Sequence, residues 1–103
     1  MAVVTTTIIQ VKPDRWEEFL DQTRKTRPIM EQAGAKNIRL LAGLVAGQQT
    51  GTVVYISEAD DFAAAGVVMD RAIADPEIQK ILVLGDASPM AGYQTSYFVD
   101  VPL

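Results

Sequence analysis

Three tyrosines in strand-like segments are among the residues of this sequence best suited to chemistry. Tyr55, Tyr93 and Tyr97 lie in stretches rich in Val, Thr, Tyr and Phe. Tyr93 and Tyr97 are four residues apart, so a strand would place both on one face. A phenol can donate a hydrogen bond or, if its pKa is lowered, act as an acid or base. The three are therefore candidate ligand-binding residues; the alternative is that they are amphipathic side chains at a barrel rim or subunit seam.

Trp16 and Arg39 are the other two candidates for ligand binding. Trp16 is the only tryptophan and begins a predicted helix, where it could form a wall for an aromatic ligand or pack in a core or interface. Arg39 interrupts a predicted strand. It could direct a cation at a carboxylate or phenolate, or lie on a solvated edge.

The composition excludes several kinds of site. The chain has no Cys and no His, which removes thiol nucleophiles, zinc-thiolate centres and the usual general base near neutral pH. No acidic cluster has metal-ligand spacing, and the glycines do not form a phosphate-binding loop. We therefore predict no metal and no cofactor, and we assign no catalytic residue.

The net charge and the length of the chain limit the kinds of partner that the protein is expected to bind. With 9 basic and 13 acidic residues the net charge is -4, which does not suit a nucleic-acid-binding surface. The 103 residues fit one domain. The longest apolar or Gly runs, of which Phe62 to Met69 is one, are too short to span a membrane, and the first residues do not resemble a signal peptide. We expect a cytoplasmic protein with no membrane partner.

The elements that would position these residues follow from hydrophobic pattern and capping. Lys12-Pro13-Asp14 predicts a helix start with Pro13 in the first turn, and Gly34 predicts its end. Pro28 lies between them, so the helix either stops near Arg27 with a short piece from Pro28 to Ala33, or continues with a kink. The predicted strands are Ala2–Val11, Asn37–Ala46, Thr52–Ser57 and Tyr93–Val101.

A second helix follows the third strand. Ser57 to Asp60 predicts a Ser or Asp cap ahead of it, and Asp75-Pro76-Glu77 predicts the start of a short third helix that ends by Gly85. The second helix should bury a stripe that is small in the middle: Phe62, Ala65, Gly66, Met69, Ala72 and Ile73.

The resulting order is the βαββαβ pattern of a ferredoxin-like α+β fold, with helices on one face of a four-stranded antiparallel sheet. The first and third strands would be the central pair, and both are apolar on both faces. Because the helices cover one face only, a second copy of the chain is the simplest cover for the other. The alternative is a monomer whose Thr-rich face is tolerably solvated.

The order of elements resembles the dimeric α+β barrel group, which includes NIPSNAP-like proteins and antibiotic-biosynthesis monooxygenases. The similar segments are KPDRWEEFL, RLLAGLVAGQQTGTVVYI and EADDFAAAGVVMDRAIADPEIQKI. The resemblance implies a homodimer with facing sheets, and in many members a small-molecule cavity between sheet and helices. It does not imply one activity. Histidine-dependent members differ from this chain, whereas cofactor-independent, quinone-forming monooxygenases rely more on Trp, Asn, Tyr and Arg.

Two functions from different classes follow. The first is a homodimer that binds a small apolar or aromatic molecule in such a cavity, and that could act on it as a monooxygenase or isomerase does. The second is a non-catalytic dimerisation or interaction module, in which the Tyr and Arg residues are structural. An ACT-type ligand-sensing domain shares the element order, but it usually accompanies a catalytic domain.

Overall fold

The computed structural model describes residues 2–43 and 52–103, which form one four-stranded antiparallel sheet and three helices. The sheet order is β2-β3-β1-β4, so the first and third strands are the central pair, as predicted. The ferredoxin-like α+β fold is therefore confirmed. Along the chain the elements are β1 (Val3–Val11), α1 (Trp16–Gln32), β2 (Lys36–Ala42), β3 (Val53–Ala59), α2 (Phe62–Ala74), α3 (Pro76–Leu82) and β4 (Met90–Val99).

One sheet face carries the core. A main cluster contains Ile9 and Val53 from the central strands, Phe19 of α1, Ile81 of α3 and Met90. A smaller cluster joins Val3, Ala59 and Ala65. Because Ile9 pairs with Val53 and Val3 pairs with Ala59, these strand residues share a face. All three helices therefore lie on this side of the sheet.

The other side, which we call the open face, has no residue in either cluster of the described chain. It carries Val4, Thr6 and Ile8 of β1 opposite Glu58, Ile56 and Val54 of β3. Val4, Ile8, Val54 and Ile56 are half-buried within the sheet, while Leu41 and Phe98 at its sides are about half exposed. The described part of the chain thus leaves an apolar sheet surface uncovered.

Helix α1 begins later than predicted. Pro13 and Asp14 form a turn closed by a hydrogen bond from the Arg15 amide to the Lys12 carbonyl (3.2 Å), and Asp14 has a φ of 68°. That left-handed conformation cannot continue a helix, so the expectation that Pro13 lies in the first turn was wrong. Pro28 lies inside one continuous helix, and Gly34, at a φ of 113°, follows its end.

The N-terminal cap and the buried residues of helix α2 differ from those predicted. Its cap is Asp61, which accepts a hydrogen bond from the Ala64 amide (2.7 Å), because β3 continues to Ala59 and contains the expected Ser57. The buried residues are Ala65, Val68 and Ala72. Phe62, Gly66 and Ile73 are exposed instead. Ala65 packs against Val3 and Ala59 where α2 lies close to the sheet. Small side chains therefore face the sheet, and the ring of Phe62 points away from it.

Helix α3 starts as predicted. Asp75 accepts hydrogen bonds from the amides of Glu77 (2.9 Å) and Ile78 (3.2 Å), and Pro76 takes the first position. The β2–β3 pair is antiparallel, as expected, and the Gly43 amide donates to the Thr52 carbonyl (2.8 Å). The predicted end of the second strand and the turn at 47–51 lie outside the described residues.

Arg15 fixes the connection between α3 and β4. Its Nη1 donates to the carbonyls of Asp86 and Ser88 (both 2.7 Å), and its Nη2 donates to that of Ala87 (3.1 Å). The same guanidinium forms a two-pronged pair with Glu18 (2.7 Å for each bond), which lowers the pKa of that carboxyl and raises that of the arginine.

Ser88 joins the two elements that this connection links. Its side chain is fully buried. The hydroxyl donates to the Ile81 carbonyl of α3 (2.6 Å) and accepts from the Met90 amide at the start of β4 (3.1 Å). The end of α3 is thereby held over the sheet.

Candidate functional site

A cavity of about 370 Å³ lies between the sheet and the three helices, within the size range of small-molecule sites. None of the described residues that line it is charged. Exposed lining residues at its edge are Ile73 of α2 and Tyr93 and Tyr97 of β4, so the cavity opens between these elements. The lining residues are Thr5, Thr7, Ile9, Phe19, Thr23, Thr26, Met30, Tyr55, Ser57, Ala65, Val68, Met69, Ala72, Ile73, Ile78, Ile81, Leu82, Met90, Tyr93, Thr95 and Tyr97.

The cavity floor is the helix-facing side of the sheet, and its middle is built from hydroxyl residues. Strand register places Thr5 between Ser57 and Tyr97, and Thr7 between Tyr55 and Thr95. Six hydroxyl side chains therefore form two adjacent rows across three strands. We call these six residues the hydroxyl floor: Thr5, Thr7, Tyr55, Ser57, Thr95 and Tyr97.

The cavity roof is apolar. It consists mainly of Phe19, Met30, Val68, Met69 and Ile78 with their helical neighbours. The two threonines that α1 adds to the roof are internally bonded: Thr23 donates to the Phe19 carbonyl (2.8 Å) and Thr26 to the Gln22 carbonyl (2.9 Å). The polar groups open to a ligand are thus concentrated on the floor.

Two hydrogen bonds made by hydroxyl groups of the lining connect the elements that form the cavity. Thr7 and Thr95 are hydrogen bonded through their hydroxyls (3.0 Å), which joins β1 to β4. Tyr93 donates to the Leu82 carbonyl at the end of α3 (3.0 Å). This second bond keeps α3 close to the edge strand.

Tyr55 offers a phenol to the cavity without a hydrogen-bond partner among the described residues. Burial raises its pKa to about 12, and the nearby Arg27 lowers it less than burial raises it. The hydroxyl is therefore neutral near pH 7. It can donate or accept a hydrogen bond there, but it is a poor general base.

Ser57 is the most enclosed polar group of the floor. Its side chain is 5% exposed, and its hydroxyl has no hydrogen-bond partner in the described part of the chain. A buried hydroxyl usually has such a partner. Its position on the cavity floor means that a molecule in the cavity can supply one.

The structure places three of the five ligand-binding residues predicted from the sequence in the lining of the cavity. Tyr55, Tyr93 and Tyr97 all line the cavity. Trp16 lies outside its lining, 41% exposed, with its ring 5.9 Å from that of Phe19. Arg39 pairs with Ile56 and so lies at the edge of the open face.

Arg39 instead lines a second, polar depression at the β2 edge. Its other lining residues are Arg27, Glu31, Asn37, Ile38 and Glu58. The charges there are mixed: Arg27 pairs with Glu31 (3.5 Å), and Asn37 donates to Glu58 (3.0 Å). This surface is a solvated sheet edge rather than an enclosed site.

Sequence reasoning missed the other four members of the hydroxyl floor. Thr5 and Thr7 lie within the predicted first strand, but no polar role was given to them. The signal was the two-residue spacing of Thr5 and Thr7 on one strand and of Tyr55 and Ser57 on the other, which places each pair on one face of two strands predicted to pair.

Residues 2–43 and 52–103 contain neither a metal-binding cluster of acidic side chains nor a membrane-spanning helix. No group of three acidic side chains there is arranged to hold a metal ion. None of the helices in these ranges has the length and apolar character needed to cross a membrane.

Comparison with known proteins gives structural matches only. No protein-family model matches the chain, and no curated protein matches it. A candidate antibiotic biosynthesis monooxygenase from Bordetella bronchiseptica is similar with a TM-score of 0.74 at 16% identity over 98% of both chains. An uncharacterized NIPSNAP domain protein from Burkholderia xenovorans has a TM-score of 0.70 at 19% identity, over 96% of this chain and 94% of that one.

A NIPSNAP family protein from Agrobacterium tumefaciens is also similar, with a TM-score of 0.67 at 10% identity over 97% of this chain and 86% of that one. The matches span nearly all of each chain, and their low identities carry information about the fold alone. The chain therefore has the α+β fold shared by NIPSNAP proteins and antibiotic biosynthesis monooxygenases, as its sequence resemblance predicted.

Proposed function

We propose that this protein binds a small, uncharged and largely apolar organic molecule in the cavity between its sheet and its helices. The observation that carries the proposal is the lining itself: a roof of apolar side chains, no charged residue among the described lining residues, and a neutral Tyr55 hydroxyl that lacks a partner among those residues. A few convergent polar groups in an apolar cavity are typical of small-molecule sites.

The contacts that we propose for the ligand come from Tyr55, Tyr93 and Tyr97. Tyr55 would hydrogen bond to an oxygen of the ligand, while Tyr93 and Tyr97 would cover its exposed edge at the mouth of the cavity. Trp16 and Arg39 do not line this cavity, and we assign them to packing against Phe19 and to the sheet edge.

Isothermal titration calorimetry with 1-naphthol and 1-naphthoate tests the charge preference. The two probes share a ring system, but burying a carboxylate where the lining has no cation is costly. We expect 1-naphthol to bind and 1-naphthoate to bind at least tenfold more weakly. Tyr55→Phe should weaken the binding of 1-naphthol about three- to tenfold, which is the net effect of losing one neutral hydrogen bond. Trp16→Phe, the matched aromatic control outside the cavity, should leave it unchanged. Equal affinity for both probes would contradict the proposal.

We also propose that the protein is a homodimer in which the open faces of two copies pack together. Support comes from Val54 and Ile56 in the central strand and from Leu41 and Phe98 at the sides, which form an apolar surface that no described helix covers. Two sheets packed face to face would exclude water from it.

Analytical ultracentrifugation tests the dimer. We expect twice the chain mass of 11.2 kDa at micromolar concentration. Ile56→Glu places a carboxylate in the centre of the open face and should produce monomers. Ala63→Glu makes the same change on the exposed side of α2 and should remain dimeric. A folded wild-type monomer would refute the dimer and leave the cavity proposal standing.

A second candidate function is monooxygenation of an organic molecule, suggested by the name of the Bordetella bronchiseptica protein of the same fold. The neutral Tyr55 does not provide a base, so a substrate would have to ionise readily by itself. Oxygen uptake with 1,8-dihydroxyanthrone, whose oxidation by O₂ gives the anthraquinone and water, distinguishes the two functions. Uptake above the uncatalysed rate that is lost in a cavity-filling Ala72→Leu variant supports an enzyme. No uptake by a protein that binds the compound supports binding without catalysis.

A further inference from the structure

The cavity has one polar wall and one apolar wall, and this asymmetry specifies a ligand more closely than its volume does. We propose that the natural ligand is an uncharged alicyclic molecule with two or more hydroxyl or carbonyl oxygens on one face and hydrocarbon on the other. This inference rests on the small-molecule function proposed above. It adds the arrangement of the ligand's polar groups and the way in which the ligand is oriented.

The strand pairing sets the spacing of the hydroxyl floor. Neighbouring strands are about 4.8 Å apart, and alternate residues of one strand are about 6.7 Å apart. Thr5 therefore has Ser57 and Tyr97 on either side in one row, and the row of Tyr55, Thr7 and Thr95 runs parallel to it. Oxygens on one face of a ring can bridge the hydroxyls of Thr5 and Ser57, which rise from neighbouring positions of the sheet, while the tyrosine hydroxyls project further from it.

The floor has hydrogen-bonding capacity that the protein does not use. Thr7 and Thr95 bond to each other, but Thr5, Ser57, Tyr55 and Tyr97 have no hydrogen-bond partner among residues 2–43 and 52–103. Ser57 is 5% exposed, so the surface left at its hydroxyl faces the cavity. A pure hydrocarbon above this floor would leave these groups unpaired, at a cost comparable to a lost hydrogen bond for each enclosed group.

Ligands of other shapes fit the two walls less well. A planar aromatic molecule carries its oxygens in the ring plane, so lying flat it presents a π face to the hydroxyls and satisfies few of them. A carboxylate would lose its hydration without gaining a cation from the described lining. A polyol with oxygens on both faces would place hydroxyls against Val68, Met69 and Ile78 of the roof.

Two bicyclic probes with one carbon skeleton, and a carboxylate in which the same ten carbons are ring-opened, test this arrangement. In cis-pinane-2,3-diol both hydroxyls lie on one face of a bicyclic hydrocarbon, pinane lacks them, and cis-pinonate carries a carboxylate. We expect the diol to bind at least tenfold more tightly than pinane, and pinonate to be the weakest. The measurement is displacement of bound 1-naphthol, followed by calorimetry or by protein NMR.

Conservative variants separate the floor from the rest of the cavity. Thr5→Val and Ser57→Ala each remove a hydroxyl with little change of shape. Each should weaken the binding of the diol about three- to tenfold and leave the binding of pinane unchanged. Thr6→Val makes the same change on the open face of β1 and should affect neither probe. If a floor variant alters its own melting temperature, its pinane affinity still reports whether the cavity is intact.

The outcomes distinguish the two proposals. Diol and pinane binding equally, with no effect of Thr5→Val or Ser57→Ala, would overturn the facial arrangement and leave the small-molecule function standing. Binding of 1-naphthol but not of the diol would do the same. Failure of all four probes to bind would overturn both.

Discussion

Replacing Tyr55 by Phe is the perturbation whose effect the structure defines most closely, because the phenol is enclosed and has no protein hydrogen-bond partner among the described residues. Burial raises the pKa of the Tyr55 hydroxyl from 10.0 to about 12. The fold thus favours the protonated phenol. Tyr55→Phe removes this ionisation and should be no less stable than the wild type at pH 7, since the hydroxyl that it removes has no hydrogen-bond partner among the described residues.

The pH dependence follows from linkage. Below pH 10 the phenol is protonated in both states, so its contribution to stability is fully present. Between pH 10 and pH 12 the unfolded chain ionises and the folded one does not, so this contribution is lost as the pH rises. At pH 11 the two pKa values give a loss of about 1.4 kcal/mol, and above pH 12 the loss approaches about 2.7 kcal/mol.

The assay is urea unfolding of both proteins at one protein concentration, followed by the fluorescence of the single tryptophan, at pH 7, 9, 10 and 11. Other groups that ionise in this range are common to both proteins, so the difference between their free energies of unfolding isolates Tyr55. The wild type should lose stability relative to the variant by about 1.4 kcal/mol from pH 9 to pH 11. Parallel curves over this range would show that the phenol is not enclosed, and the reasoning about the cavity would fail with it.

Three predictions concern the parts that position the cavity. Ser88→Ala removes a fully buried hydroxyl from both of its partners and should lower the free energy of unfolding by about 1–3 kcal/mol, whereas Ser96→Ala should change it by less than about 0.5 kcal/mol, as urea unfolding would show. Asp75→Ala removes the cap of α3 and should lower the free energy of unfolding by about 1 kcal/mol, measured in the same way. An unchanged free energy of unfolding would mean that the cap does not stabilise the fold. Arg15→Met frees the connection before β4 and should lower the melting temperature at pH 7. This difference should shrink as the pH falls below 4.5, because the pKa of Glu18 is lowered by Arg15 and the pair is lost on protonation; a constant difference would contradict the ion pair.

The sequence was sufficient for the architecture because its local signals agree with the fold. Asp75-Pro76 caps α3 as expected, Gly34 follows the end of α1, and the two-sided strands are the central pair. Pro28 could not be decided from the sequence, since a helix continues through a proline only when packing compensates the lost hydrogen bond. Phe62 was placed inward because its spacing fits the stripe of α2, but the close approach of Ala65 to the sheet turned the helix by about one position.

The site was predictable only in part. The strand assignment of Tyr55, Tyr93 and Tyr97 was enough to bring them together in one cavity. Arg39 could not be placed, because its face depends on an irregularity in β2 between Lys36 and Arg39, and a shift of one residue moves a side chain to the other face. Thr5 and Ser57 were overlooked because threonine and serine in a strand are compatible with either face, and only the register sets them beside each other.

The most direct test of the central claim is a crystal structure of the protein grown with 1-naphthol. We predict density for the naphthalene ring between the sheet and α2, with the oxygen within hydrogen-bonding distance of the Tyr55 hydroxyl. Density for the ring only on the outer surface, with the cavity filled by side chains or by water alone, would contradict the claim that this cavity is a ligand site.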